Sequence, residues 1–147
     1  MIQRPNVDLP EYNKEGMQTI KKMAREYKDA KTRVMVYPKK RPTLMKQLQV
    51  KLEDYDGCGL IEYDEEKFRE IPLEDQNYIL QYAADLQLIF VLEKGIAAIS
   101  NEKTRMIAED TLLRGKSCKE LVGKYGLKEV SIRNRRMYAP RTLSLLV

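Results

Sequence analysis

The stretch ELVGKYGLKEVSIRNRRMYA, residues 120–139, predicts two short helices joined by a tight turn. Leu121, Val122 and Tyr125 are spaced so that they share one face of the first helix. Gly126 follows directly, and a glycine can take the left-handed conformation that ends a helix at low cost. The pattern therefore predicts a helix that stops at residue 126 and a second helix soon after it.

The second helix is predicted to open near Lys128, with Ile132 turned inward and with Ser131, Arg133 and Asn134 turned outward. A short helix, a glycine turn and a second helix with polar outward residues predict a helix-turn-helix, in which the second helix enters the DNA major groove. The alternative is a helical hairpin that only packs against the rest of the domain.

The same stretch carries a spaced motif of an apolar pair, a turn glycine and a hydroxyl residue followed by a β-branched one. Its residues are Glu120-Leu121-Val122, Gly126-Leu127 and Ser131-Ile132. The motif resembles the turn core of the promoter-reading C-terminal domains of sigma factors and of sigma-like phage regulators. One position departs from that pattern, because the residue three after Ile132 is usually apolar and here is Arg135. Either the stem of Arg135 crosses the edge of the core, or the helix is rotated and the contact assignments change.

The excess of positive charge lies in the same part of the chain. Residues 101–147 carry 11 Lys and Arg against 5 Asp and Glu, whereas residues 1–100 carry 16 against 17. A DNA duplex presents one negative charge for every ~1.7 Å of its axis. A basic surplus on a helical hairpin is therefore what phosphate contact requires.

Two sets of candidate DNA contacts follow from a second helix lying in the groove. Base contacts are predicted for the outward residues, Lys128, Ser131, Arg133, Asn134 and Met137. Arginine can bind guanine through two acceptors and asparagine can pair with adenine, so Arg133 and Asn134 are the sharpest candidates. Phosphate contacts, which set the register on the duplex, are predicted for Lys116, Ser117, Lys119, Arg135, Arg136 and Arg141.

The whole chain is predicted to be all-α, with a helical N-terminal region at residues 1–98 and a three-helix helix-turn-helix unit at residues 99–147. A first helix is expected from Asn13 to about Val36, ending before Pro38, because proline restricts the residue that precedes it. Thr43 is expected to cap a short helix over Leu44, Leu48 and Leu52.

A long helix is predicted from Pro72 to about Ile96, with Ile79, Leu80, Ala83 and Leu86 among its inward residues. Between residues 86 and 92 only Gln87 is polar, so this helix is expected to be the most buried one.

Ser100 or Asn101 is expected to cap the next helix, which runs to Arg114 and is closed by Gly115. Ser117 is expected to cap the first helix of the hairpin, and Pro140 to stop the last helix of the chain. The acidic stretch at residues 53–75, with 10 carboxylates, is expected to be solvated, since its spacing fits no calcium loop.

Several classes of protein are disfavoured by composition. The chain has no histidine and only Cys58 and Cys118, which gives neither a zinc site nor a histidine-based catalytic site, and reduced thiols are expected. It has no glycine-rich phosphate loop and no nucleophile beside a base, so we expect neither an enzyme nor a cofactor. No apolar run approaches the ~18 residues of a membrane span, and no secretory signal is recognisable, so we expect a cytoplasmic protein with no membrane partner.

A helical chain with a sigma-like C-terminal reader resembles the small late-gene transcriptional activators of phages and integrated elements in Gram-positive bacteria, of the RinA and ArpU type. The resemblance implies sequence-specific binding to double-stranded DNA, activation at a promoter and the cytoplasm of a bacterial host cell. RNA polymerase is a second partner that it suggests. The N-terminal half matches only in layout, and one hypothesis is that it forms a homodimer.

Two other functions fit parts of the sequence. The small subunit of a phage DNA-packaging terminase also combines a helix-turn-helix with helical oligomerisation elements, although its DNA-binding unit is usually N-terminal. The chain could also be a protein-interaction module that acts on RNA polymerase without touching DNA. Salt-dependent binding to duplex DNA distinguishes this last class from the other two.

Overall fold

The computed structural model describes residues 13–53 and 60–143, and the prediction of an all-α protein is confirmed. The helices are α1 Lys14–Lys40, α2 Pro42–Gln47, α3 Glu65–Glu70, α4 Leu73–Ala97, α5 Glu102–Ala108, α6 Cys118–Tyr125, α7 Glu129–Arg136 and α8 Tyr138–Leu143. A π-helical turn, Glu109–Leu113, continues α5. The one sheet among these residues is a ribbon in which β1 Lys51–Glu53 pairs antiparallel with β2 Leu60–Glu62. Cys58 lies outside the described residues.

The chain divides into two compact units. The middle unit comprises residues 27–91, and the terminal unit combines residues 13–26 with residues 92–143 among those described. Both α1 and α4 contribute to each unit, so the units do not coincide with the predicted ranges 1–98 and 99–147. None of the described helices is long and apolar enough to cross a bilayer.

The middle unit is built around a buried apolar cluster, and one buried carboxylate lies beside it. The cluster comprises Tyr37, Leu44, Met45, Leu48, Ile71, Ile79 and Tyr82. Beside it, buried Asp85 accepts two hydrogen bonds from the guanidinium of Arg33, at 2.8 and 2.9 Å, and one from the Tyr37 hydroxyl at 2.8 Å. Burial raises the pKa of Tyr37 to about 12, and its bond to Asp85 acts in the same direction. These bonds compensate the cost of burying a charged group.

The predicted start of α1 is confirmed, but its predicted end is wrong. The Asn13 side chain accepts from the backbone N–H groups of Glu15 and Gly16, as an N-cap does. The helix then runs through Pro38 to Lys40 instead of ending before the proline. Tyr37 is held in helical conformation by its buried ring and by the Tyr78 hydroxyl, which donates to its carbonyl at 2.8 Å. Tertiary packing therefore overrides the local preference at a proline near a helix end.

Three further expectations in this region are wrong. Thr43 does not cap α2, which begins with Pro42 in its first turn after Arg41, where the missing N–H of proline costs nothing. Leu52 lies in β1 and is exposed, as is Leu80 on the outer side of α4. Helix α4 itself is confirmed, beginning at Leu73 and burying Ile79 completely.

The chain end also differs from the prediction. Pro140 does not stop the last helix, because α7 ends at Arg136 and Pro140 occupies the first turn of α8, where an unpaired N–H would otherwise be found. Leu143 at the end of α8 is fully buried over Gly95, where an added Cβ would lie 1.8 Å from its side chain. Residues 102–143 form four helices, α5 to α8. Gly95 is required for the packing of α8, because a larger residue would collide with Leu143.

Gln49 has the left-handed backbone that usually requires glycine, with φ at +52°. Its N–H donates to the Lys46 carbonyl at 3.1 Å, and the Val50 N–H donates to the Met45 carbonyl at 2.9 Å. This pair of bonds closes a helix through a left-handed residue. The Cβ of Gln49 is therefore a source of strain at the end of α2.

We expect Gln49→Gly to raise the free energy of unfolding by about 0.5–1 kcal/mol, because relief of the strain exceeds the added entropy of the unfolded chain. Urea unfolding followed by circular dichroism measures the change. The matched control is Gln47→Gly, at the exposed last residue of α2, which should lower stability by about 0.5–1 kcal/mol. Shifts of the same sign in both variants would contradict the assignment.

Candidate nucleic-acid interface

Helix α6 begins and ends with the two local signals that the sequence predicted. The Ser117 hydroxyl accepts from the Glu120 N–H at 3.3 Å, which caps the helix. Gly126 has φ at +63°, and its N–H donates to the Val122 carbonyl at 3.0 Å. Helix α7 starts three residues after Gly126, at Glu129. The segment from α6 to α7, residues 118–136, is called the α6–α7 hairpin below.

An apolar cluster fixes how the hairpin is turned. Ile107, Cys118, Leu121 and Ile132 are buried together. Val122, Tyr125 and Leu127 pack on them with partly buried side chains. Because Ile132 is fully buried against residues of α5 and α6, the rotation of α7 about its own axis is set. The predicted inward positions of the hairpin are confirmed.

A buried carboxylate joins α6 to the preceding π-helical turn. Asp110 is fully buried, and its side chain accepts from Lys124 Nζ at 2.8 Å, from Arg114 Nη1 at 2.6 Å and from the Tyr125 hydroxyl. Its backbone carbonyl accepts from the Lys116 N–H at 2.9 Å. Asp110 was not among the residues predicted to be buried. The available signal was its position three residues after inward Ile107, in a helix whose inward side is otherwise apolar or Thr.

Electrostatics keeps this carboxylate ionised. Burial raises the pKa of Asp110, but hydrogen bonds from Lys124, Tyr125 and Arg114 outweigh it and lower the pKa to about 2. For Tyr125, burial and the bond to Asp110 both raise the pKa of the hydroxyl. At neutral pH the cluster therefore holds one buried negative charge against two cations.

Arg135 ties α7 to the first turn of α5. Its Nη1 donates to Asn101 Oδ1 at 3.1 Å and to Thr104 Oγ1 at 2.9 Å, while Asn101 also caps α5 by accepting from the Thr104 N–H. The Arg135 side chain reaches across to α5, as the first of the two alternatives expected, and the burial of Ser131 shows that the helix is also rotated from the predicted face, as the second expected. Because Nη1 is bonded within the terminal unit, Arg135 is a poor candidate for the phosphate contact predicted for it.

The prediction that Ser131 faces outward is wrong. Ser131 is only 7% exposed and lies beside buried Ile132 on the inner side of α7, where it has no access to a base edge. Val130 is exposed in its place, at 65%. The predicted inward face of α7 contained Ile132 alone, whereas the observed one also contains Ser131. A face centred between residues 131 and 132 puts Val130 and Arg133 on the outer side.

The other predicted contact residues have exposed or partly exposed side chains. Exposed ones are Lys116, Ser117, Lys119, Lys128 and Arg133, and partly exposed ones are Asn134, Arg136, Met137 and Arg141. The Arg133 side chain is 59% exposed, and its Nη2 donates to Glu129 Oε1 at 2.8 Å. An exposed pair four residues apart on a helix contributes only about 0.3–0.5 kcal/mol. The pair therefore holds Arg133 in place but is easily exchanged for another acceptor.

An open depression of about 490 Å³ lies between α5 and α6, lined by Asn101, Glu102, Lys103, Met106, Lys124 and Tyr125. Of its two lysines, Lys124 is already bonded to Asp110. Within residues 13–53 and 60–143, no group of three or more metal-ligating side chains comes together.

Comparisons of the chain with family models, with curated proteins and with solved structures give no match. The function is therefore argued from the residues of the α6–α7 hairpin and their surroundings.

We expect the free energy of unfolding to depend on pH through the ionisation of Asp110. The unfolded carboxylate takes up its proton near pH 4, whereas the folded one stays ionised until about pH 2. Its contribution is therefore present above pH ~4 and is lost as the pH falls toward 2. Asp110→Asn should be less stable than wild type by about 1–3 kcal/mol at pH 7, and the gap should shrink by about 2 kcal/mol near pH 2.

Urea unfolding at a series of pH values measures this gap. Glu109→Gln is the control, because it removes a neighbouring, partly exposed carboxylate and leaves the bonds to Asp110 in place. A gap between wild type and Asp110→Asn that stays constant from pH 7 to pH 2 would mean that the bonds to Asp110 do not govern its ionisation.

Proposed function

We propose that this chain is a sequence-specific DNA-binding regulator of transcription, with the α6–α7 hairpin acting as a helix-turn-helix. In this proposal α7 enters the major groove and reads base edges with its outer side. The observation that supports it most is the two-sided nature of α7, with Ile132 buried and Arg133 59% exposed. A rigid helix with an exposed arginine is the arrangement that direct readout uses.

The charge balance of the hairpin surface supports contact with a polyanion. Of the two acidic side chains in the hairpin, Glu129 is paired with Arg133 and Glu120 is exposed, while Asp110, which precedes the hairpin, is enclosed by two cations. Lys116, Lys119 and Lys128 are all exposed. The outward charge is therefore positive on balance, which favours phosphate contacts at the edges of a groove.

The interaction energies also favour replacement of the Arg133–Glu129 pair by a contact between Arg133 and guanine. Its pair with Glu129 contributes about 0.3–0.5 kcal/mol, whereas a bidentate contact with guanine contributes about 1–3 kcal/mol of discrimination. Arg133 can therefore leave Glu129 when a guanine is presented.

The setting follows from the resemblance of the motif to sigma-like regulators. In the proposal, the chain is a late-gene activator of a phage or mobile element, of the RinA and ArpU type, in the cytoplasm of a bacterial host cell. RNA polymerase would be its second partner.

The direct test is selection of bound fragments from random duplex DNA, followed by affinity measurements across salt concentrations with the full chain. A shared sequence should emerge, and log K should fall linearly with log salt with a slope of about −4.5, for roughly five neutralised phosphates. No enrichment and no salt dependence would overturn the proposal and would favour a module that binds only protein.

We expect Arg133→Ala and Arg136→Ala to fail in different ways. Arg133→Ala should cost about 1–3 kcal/mol at the selected site and relax one base position, whereas Arg136→Ala should weaken all sequences alike and reduce the salt slope by about 1. Fluorescence anisotropy with selected and scrambled duplexes separates the two effects.

Arg69→Ala is the matched control, because it removes the same charge from an exposed position on α3 and should leave the selectivity unchanged. Equal losses for Arg133→Ala and Arg136→Ala on every duplex would show that Arg133 does not read a base.

A further inference from the structure

The outer side of α7 carries one apolar side chain among charged ones. In the described part of the terminal unit, the exposed large apolar side chains are Val130, at 65%, and Met106, at 38%. Val130 is flanked by exposed Lys128 and by the pair of Glu129 with Arg133. If α7 binds an anionic ligand such as DNA, Val130 is the side chain on its outer side that can make an apolar contact with that ligand.

Packing of the inner side fixes where Val130 points. Ser131 and Ile132 are both buried, so α7 cannot rotate about its axis without exposing Ile132. Val130 and Arg133 are three residues apart and therefore share the opposite face, about 4.5 Å apart along the axis. Successive base pairs are ~3.4 Å apart. The two side chains are thus spaced to reach base pairs one or two steps apart.

The size of the apolar surface argues for a base and against a protein. A stable protein interface covers roughly 800 Å² on each partner, with a hydrophobic centre. One valine surrounded by charges offers much less than that. The C5 methyl of thymine is the apolar group that the major groove presents, and it matches a single small side chain.

We propose that Val130 is a specificity-determining residue that contacts the C5 methyl of a thymine, one or two base pairs from the guanine bound by Arg133. The inference rests on the proposed function and adds to it two bases of the DNA sequence that is recognised. The recognised sequence contains a thymine and a guanine at that separation. Glu129 contributes by holding Arg133, through the 2.8 Å bond, beside Val130 until guanine replaces it.

The test uses the full chain and fragments selected from random duplex DNA. Each thymine of the selected site is replaced singly by deoxyuridine, which removes only the methyl group. With wild type, one replacement should weaken binding about three- to tenfold, because burial of roughly one to two methyl groups is lost. Val130→Ala should weaken binding to the thymine duplex by a similar factor and should bind thymine and uracil duplexes within about twofold of each other.

Met106→Ala is the matched control, since it truncates the other exposed apolar side chain of the unit and should leave both affinity and methyl discrimination unchanged. Circular dichroism should show an unaltered fold for Val130→Ala. Indifference of wild type to every methyl, or full methyl discrimination by Val130→Ala, overturns this inference while DNA binding itself stands. Absence of salt-dependent binding to any duplex overturns the proposed function and this inference together.

Discussion

The position of the α6–α7 hairpin depends on one buried carboxylate. Asp110 brings together Arg114, Lys124 and Tyr125, and so links the π-helical turn after α5 to the C-terminal end of α6. Removing such a carboxylate from water is unfavourable unless its oxygens are bonded, so the burial of Asp110 depends on these partners. Since Tyr125 also packs on the cluster around Ile132, the network supports the apolar contacts that set the rotation of α7.

The middle unit uses the same solution. Asp85 is buried and is bonded by Arg33, Tyr37 and Gln81, and these bonds tie the second half of α1 to α4. In each unit an arginine and a tyrosine hydroxyl satisfy an aspartate that joins two different helical segments. Apolar burial alone permits a helix to slide or rotate, whereas directional bonds to a carboxylate select one register. The two aspartates thus specify helix positions that their apolar clusters stabilise.

The proposed DNA-reading surface follows from this fixed rotation. With Ile132 and Ser131 inward and Arg135 bonded to the first turn of α5, the outer side of α7 carries Val130 and Arg133, and exposed Lys128 directly precedes the helix. A surface held in this way loses little conformational entropy on binding, which favours selectivity over general attraction to phosphate. The exposed lysines around it contribute the attraction that does not depend on sequence.

Local patterns in the sequence determined the all-α class, the caps at Asn13 and Ser117 and the left-handed turn at Gly126, because short-range spacing and glycine conformation govern these features. Tertiary structure decided the rest. It carried α1 through Pro38, buried Asp110 and turned Ser131 inward and Val130 outward. These outcomes depend on partners far along the chain, such as Tyr78 for Tyr37, Lys124 for Asp110 and Thr104 for Arg135. Periodicity indicates that a helix has an inner face, but only the packed neighbours fix where the centre of that face lies.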